Sequence, residues 1–336
     1  IALIVMAKYF LPLFLEKKIY TMPQFLEQRF DNSVSLVLSF FWLIVYIFIN
    51  LTSVLWLGSL AINALTGLDL FYGLAVLALF SLAYSLSGGL KAVAMTDVVQ
   101  VVLLIFGGLA VSFIALNTIS ESTGVVNGMK IVFDQMPEKF DMILSSDNPS
   151  YKNLPGIWIL FGLGVWIGHF FYWGFNQYIT QRALGAKSIK EAQKGVMFAA
   201  YLKLLMPIVI VLPGICAAIL FPVLEKSDQA YPTMMSLLPN GLLGLTFAAL
   251  IAAIVSSLAS MSNSISTIFT MDIYRYFKGE EHNQASLIKV GRYTVVISLL
   301  IATLIAKPLL GSFESIFQYI QNFTGYFSPG IVVIFL

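Results

Sequence analysis

A lysine inside an apolar run, a histidine at the head of an aromatic stripe and paired serines in a small-residue segment are the groups that could do chemistry here. Lys203 stands in GVMFAAYLKLLMPIVIV, about two helical turns past Lys194. An ionisable group at bilayer depth costs about 2.5–3.5 kcal/mol on insertion scales, so it needs a partner or a purpose. The sequence offers no carboxylate at matching depth. Hydroxyls, carbonyls or a bound solute are then the candidate partners, and a lysine snorkelling from a helix end is the alternative. In GVWIGHFFYWGFNQYITQR, His169 is followed by Tyr172, Trp173 and Asn176, a spacing that shares one helix face. An aromatic and polar stripe suits a sugar, whose C–H faces stack on rings and whose hydroxyls need donors and acceptors; simple aromatic packing gives the same pattern. Gln318 and Gln321 share a face of ESIFQYIQNFTGYFSPG, where their amides must find a solute or a neighbouring helix. In FAALIAAIVSSLASMSNSISTIFTMD, Ser256, Ser257 and a nearby carbonyl are neutral oxygens of the kind a hard cation takes. The same small residues also permit close helix approach and nothing more.

Such groups matter only if the surrounding helices lie in lipid. Of 336 residues, 59% are hydrophobic and 11% charged, with a mean hydropathy of +0.87. A soluble chain carries roughly 25% charged residues, and a soluble bundle would show a polar face on every helix. Nine apolar segments can be marked, at 1–16, 34–63, 70–87, 93–118, 157–180, 192–221, 240–271, 287–306 and 313–336. Most approach or exceed the roughly 20 residues that a bilayer requires. The short amphipathic stretch 21–30 is expected at the interface, and 119–155 is expected to be an aqueous loop holding one short helix. Pro207, Pro213 and Pro329-Gly330 are expected to kink or break their helices. Breaks inside a membrane must be buried or line a cavity, and discontinuous helices around a central site are a pattern of secondary transporters.

Loop charge gives the orientation. Lys17, Lys18, Arg29, Lys91, Arg182, Lys187, Lys190, Lys194, Arg275, Lys278, Lys289 and Arg292 fall in one set of loops; Lys130, Lys139, Lys152, Lys226 and Lys307 fall in the other. Positive charge marks the cytoplasmic side, so the first and last segments both run inward. The formal net charge of +2 points to no nucleic-acid partner, and Cys216 sits in an apolar run as a packing residue. No Cys/His metal cluster, Gly-rich phosphate loop or base–nucleophile pair is visible, so an enzyme is not expected.

Together YWGFNQYITQR, KEAQKG, AAIVSSLASMSNS, IFTMDIY and FQYIQNFTGYFSPG resemble the sodium/solute symporter family, most closely its bacterial sodium/galactose branch. The resemblance covers essentially the whole chain. It implies an all-α polytopic membrane protein with a LeuT-like core of two inverted repeats. Residues 1–118 would be the end of the first repeat, 119–155 an extracellular loop and 156–336 the second repeat. The resemblance makes the Ala253 carbonyl, Ser256 and Ser257 sodium ligands, with sodium as coupling ion and no other cofactor. Tyr172 would stack on the sugar as an inner gate beside Trp173, Lys203 and Gln321 would hydrogen-bond its hydroxyls, and Phe317 would join the outer lid. Asp97, in MTDVVQ, resembles a family acidic residue that affects cation coupling.

Two departures qualify this. His169 stands where galactose-type members place an asparagine, and a neutral imidazole offers only one donor and one acceptor. The family's unwound core helix 1 and the start of helix 2 are not found in the sequence, which therefore reads as a fragment of a longer chain. The expectation is sodium-coupled symport of a galactose- or glucose-like sugar by alternating access, in a bacterial inner membrane. Symport of inositol or sialic acid, or solute sensing without transport, are the alternatives. Solute identity, stoichiometry and oligomeric state are not written in these patterns.

Overall fold

The computed structural model describes residues 1–141, 145–147, 164–279 and 283–336, with the side chains of 88–93 left aside. All regular structure among the described residues is helical. In chain order, α1 covers 2–16, α2 Met22–Arg29, α3 Asn32–Thr66, α4 Leu70–Ser87, α5 Ala94–Ile119 and α6 Val125–Gln135. Then come α7 at 164–175, α8 Gln177–Leu184, α9 Ile189–Leu220, α10 Ala230–Met235, α11 Asn240–Lys278, α12 Gln284–Leu310 and α13 Ile316–Phe335.

The starts and stops follow short-range chemistry. Asp31, Asp69, Ser188, Asn283 and Ser315 each accept a backbone N–H from the first turn of α3, α4, α9, α12 and α13. Gly67 ends α3 in the left-handed region, at φ 71°.

Among the described residues, six helices are long and apolar enough to cross a membrane: α3, α4, α5, α9, α11 and α12. The other three expected segments correspond to α1, to α7 with α8, and to α13, a 20-residue helix diluted by amides and hydroxyls. The start of the expected segment 157–180 and much of the loop 119–155 lie outside the described residues. The described part of that loop carries one short helix, α6, as expected.

Residues 70–87 and 94–119 are helical; joined as one straight rod of 50 residues they would span about 75 Å. They are not a rod. The hydroxyls of Tyr84 and Thr96, twelve residues apart, touch, and Ser85 and Asp97 reach Ala259 and Ser256 on the same stretch of α11. Thus α4 and α5 lie side by side and the chain reverses between them, as the sequence boundary near 87–93 requires.

Two proline-bearing helices behave in opposite ways. At α9 the α-helix gives way to a tight turn at Lys203–Leu205 and a wide turn at Pro207–Val211, the disruption expected of Pro207. In α13 the helix continues through Pro329, so the expected break there is absent. In an apolar medium the remaining backbone hydrogen bonds are too valuable to forfeit for the one that proline removes. The chain breaks instead at Asn176, between α7 and α8, where the backbone is extended at φ −88° and ψ 118°.

The main core gathers Trp42, Tyr46, Leu55, Phe171, Phe175 and Leu258, and a second cluster at the opposite end holds Val111, Val132, Met234 and the buried Cys216. Contacts sort the loops into two ends. At one, Thr21 donates to Asp272 (2.9 Å) and Arg29 to the carbonyl of Phe335 (3.0 Å). At the other, Lys226 donates to the Gly311 carbonyl (2.9 Å), and Asp228 accepts the Ile316 N–H (2.6 Å). The first end is the cation-rich one.

Small residues let α5 into the bundle. A Cβ at Gly107 would sit 2.5 Å from Thr246 Cγ2 of α11, and one at Gly108 would sit 2.3 Å from Val209 Cγ1 of α9. Gly107→Val is therefore expected to destabilise the complete protein by about 1–3 kcal/mol, the usual cost of overpacking. A thermal unfolding midpoint equal to wild type would show that α5 can move away freely.

Candidate functional site

The break at Asn176 is held by side chains on three sides. Its Oδ1 accepts from the Tyr46 hydroxyl of α3 at 2.7 Å, and its carbonyl accepts from Thr180 Oγ1 at 3.0 Å. Next to it, Gln177 Oε1 accepts the Met22 N–H (2.7 Å) while Nε2 donates to the Tyr20 carbonyl (3.0 Å). A side-chain amide thus ties the start of α8 to the loop before α2. All of this is buried, with Asn176 and Gln177 at 2% and 1% exposure. The backbone freed by the break is bound within protein, as lipid demands.

Just before the break, the wide last turn of α7 presents Tyr172 and Trp173, whose rings meet edge to face at 5.0 Å. The Tyr172 and Tyr178 hydroxyls are 2.9 Å apart across the break. Lys203, where α9 leaves α-helical geometry, holds its ammonium 4.7 Å from the centre of the Trp173 ring. A cation over an indole face is worth about 0.5–2 kcal/mol. This is the partner that Lys203 lacked in the sequence, an aromatic face instead of a carboxylate. His169 lies one turn earlier, on an exposed face of α7. The corner combines two ring faces and a cation.

Beyond the break, α8 carries a second cluster. Arg182 pairs with Asp97 of α5 at 2.8 Å and donates to Ser260 Oγ of α11 at 2.7 Å. Gln181 donates to the Ser260 carbonyl at 3.0 Å, and the Ser256 hydroxyl donates to the other oxygen of Asp97. One carboxylate thereby joins α5, α8 and α11. Asp97 is only 26% exposed, so it is not a solvated helix end. A hydroxyl that donates to a carboxylate keeps its lone pairs, so Ser256 can still accept a cation.

The structure therefore brings Tyr172, Trp173 and Lys203 into one corner, leaves His169 on an exposed face of α7 before it, and joins Asp97 to Ser256. Ala253 and Ser257 are partly buried on the same stretch of α11. Phe317, at 64% exposure, and Gln321 stay on an exposed side of α13 and make no hydrogen bond or ring contact among the described residues. The α13 helix does reach the site, through Phe327 against Phe171 (5.3 Å) and Phe335 against Phe175 (4.6 Å). Two cavities, of about 340 and 410 Å³, lie towards the cation-rich end, and none of the residues expected from the sequence lines either. Sequence reasoning missed Arg182 as the partner of Asp97 and took it for a loop charge. Its spacing from Tyr178, one helical turn, was the available signal.

Comparison with known proteins matches this geometry to a family. The model described as "Sodium:solute symporter family" matches residues 1–336. A sodium/glucose cotransporter of Vibrio parahaemolyticus is 49% identical over all of this chain and 65% of its own length. Human sodium/myo-inositol cotransporter 2 is 31% identical, over all of this chain and 53% of its own length. The chain thus spans between about half and two thirds of these relatives. A solved structure of a Na+-coupled sialic acid symporter, in a substrate-bound outward-open state, superposes with a TM-score of 0.79 at 22% identity. That match covers 99% of this chain and 70% of the other and shows the fold, which is LeuT-like. A helical bundle broken at Asn176, with ion-paired and aromatic groups gathered on either side of the break, is thus a multi-pass membrane protein, and the chain belongs to the sodium:solute symporter family.

Proposed function

We propose that the complete protein couples sodium entry to symport of a small polyhydroxylated solute, a galactose- or glucose-like sugar, by alternating access. The observation that carries this is the Lys203 ammonium over the Trp173 ring beside Tyr172, where two helices lose regular geometry together. Ring faces can take the C–H side of a sugar, and the ammonium has three donors for its hydroxyls. The hydroxyl contact from Tyr172 to Tyr178 would hold the gate ring to α8 until the solute leaves. Gln321 and Phe317, on α13, would close over the solute from the outer side. His169 would set the preference among sugars.

Sodium would be held by the Ala253 carbonyl with Ser256 and Ser257. From there, Asp97 is the next carboxylate on the cytoplasmic side, and its pairing with Arg182 makes it a latch that a departing ion has to open. The sodium gradient supplies about 2.3 kcal/mol per charge per 100 mV in addition to its concentration term. Residues 1–118 would belong to the first inverted half and 156–336 to the second, with the break at Asn176 as a joint inside the second half. Inositol is the second reading, favoured by the human relative at 31% identity.

Lys203→Ala is expected to raise the KM for sugar about tenfold, the size of one charged hydrogen bond, with unchanged amounts of protein in the membrane. Wild-type uptake kinetics would return Lys203 to a snorkelling role. Ser257→Ala is expected to raise the half-saturating sodium concentration several-fold, by about 1 kcal/mol of lost ligation. A superimposable sodium activation curve removes Ser257 from the ion site. Arg182→Gln is expected to lower the maximal rate of uptake while leaving equilibrium sugar binding intact. Loss of sugar binding in that variant would mean that Arg182 shapes the solute corner instead. Labelled-sugar counterflow in liposomes separates a carrier from a sensor throughout.

A further inference from the structure

At the cation-rich end of the bundle, α4, α11 and α12 border an open cavity of about 340 Å³. Asn263, Ser266, Thr267 and Thr270, at spacings of three and four along α11, form its polar floor. Gly291 of α12 keeps that floor open, since a Cβ there would come within 2.7 Å of Ser266 Oγ and 3.5 Å of Thr270 Oγ1. Leu287 and Ile288 line an apolar wall, and Arg292 stands exposed at the margin. The hairpin between α11 and α12 is closed by a 3.3 Å contact between the hydroxyls of Tyr274 and Ser286.

Two donors in this floor are unsatisfied. The Asn263 amide nitrogen and the hydroxyl of Thr270, a residue 6% exposed, are buried without a hydrogen-bond partner among the described residues. A buried donor left unpaired is costly, so an acceptor is wanted there. Hydroxyls alone would serve a cation as well as an anion. Charge decides between them: Arg292 lines the cavity, and among the described residues no Asp or Glu does. The first turn of α12 adds the positive end of a 27-residue helix dipole. The apolar wall is unsuited to a fully hydrated ion and suited to an amphiphile, and Ile288 is 53% exposed towards the bundle exterior. Loop charge puts this end at the cytoplasmic surface, where anionic headgroups lie.

We propose that this cavity binds the phosphate of an anionic phospholipid from the cytoplasmic leaflet, with Arg292 and the floor donors on its oxygens and an acyl chain along Leu287 and Ile288. Inorganic phosphate shares the headgroup chemistry but would leave the apolar wall uncovered. The inference stands on the membrane location and the cavity, and it is independent of which solute is carried.

The test uses the complete protein purified in detergent, with phosphatidylglycerol binding followed by native mass spectrometry. Saturable binding is expected, resistant to millimolar inorganic phosphate. Arg292→Gln and Thr270→Val are each expected to weaken it about tenfold, with thermal unfolding of each variant confirming an intact fold. Equal binding by wild type and both folded variants overturns the site. Displacement by inorganic phosphate overturns the lipid as its occupant.

Discussion

Inside a bilayer every backbone and side-chain polar group has to find its partner within the protein, because no water competes for it. The structure answers to that rule most clearly at Asn176. Breaking a helix at Asn176 releases N–H and C=O groups from the ladder, and side chains on α3 and α8 brace the chain there. Tyr46 holds the Asn176 amide, Thr180 donates to the Asn176 carbonyl, and Gln177 ties the start of α8 to the backbone of Tyr20 and Met22. The break is consequently rigid on its α3 side and at the loop before α2. On its other side it carries only an aromatic corner.

That asymmetry explains how one interruption serves two clusters. Tyr172 and Trp173 lie before the break; Tyr178, Gln181 and Arg182 lie after it. A rotation of α7 relative to α8 would therefore change the solute corner and the Asp97 network together, with the contact between Tyr172 and Tyr178 as their link. The Asp97 carboxylate in turn accepts from α8 and from α11. Coupling across these few contacts needs no long pathway, since each contact has two alternatives, made or broken.

Much of the fold was legible in the sequence because bilayer thickness and loop charge act on whole segments. The nine apolar runs, the reversal between Ser87 and Ala94 and the two loop ends all follow from averages over many residues. The break at Asn176 was not legible, because Asn176 is neither proline nor glycine and Gly174 two residues earlier is a weak signal; the Asn176 side chain is held from outside by Tyr46. Pro329 erred the other way: a strong local signal lost to the surrounding ladder. At the site, Lys203 stood out through its cost, but its partner Trp173 was visible only as part of a stripe. Arg182 escaped notice because a charge near a helix end is read as solvated, and only the approach of α5 turns it towards Asp97.

The two cations near the break differ in a way that bears on the solute. Arg182 has a carboxylate, so its charge is balanced within the protein whether or not anything is bound. Lys203 has an indole face, which lowers the cost of the charge without occupying the ammonium's hydrogen-bond donors. Among the described residues no carboxylate pairs with it. A cation left in that condition gains most from a ligand that supplies several oxygens at once. A sugar or inositol does this with adjacent hydroxyls and keeps the site's charge constant. A carboxylated solute would neutralise Lys203 outright and bind more tightly, but it would then carry a charge across the membrane that partly offsets that of the sodium. With Trp173 and Tyr172 supplying flat apolar faces next to the donors, the proposed solute corner would suit a neutral polyol.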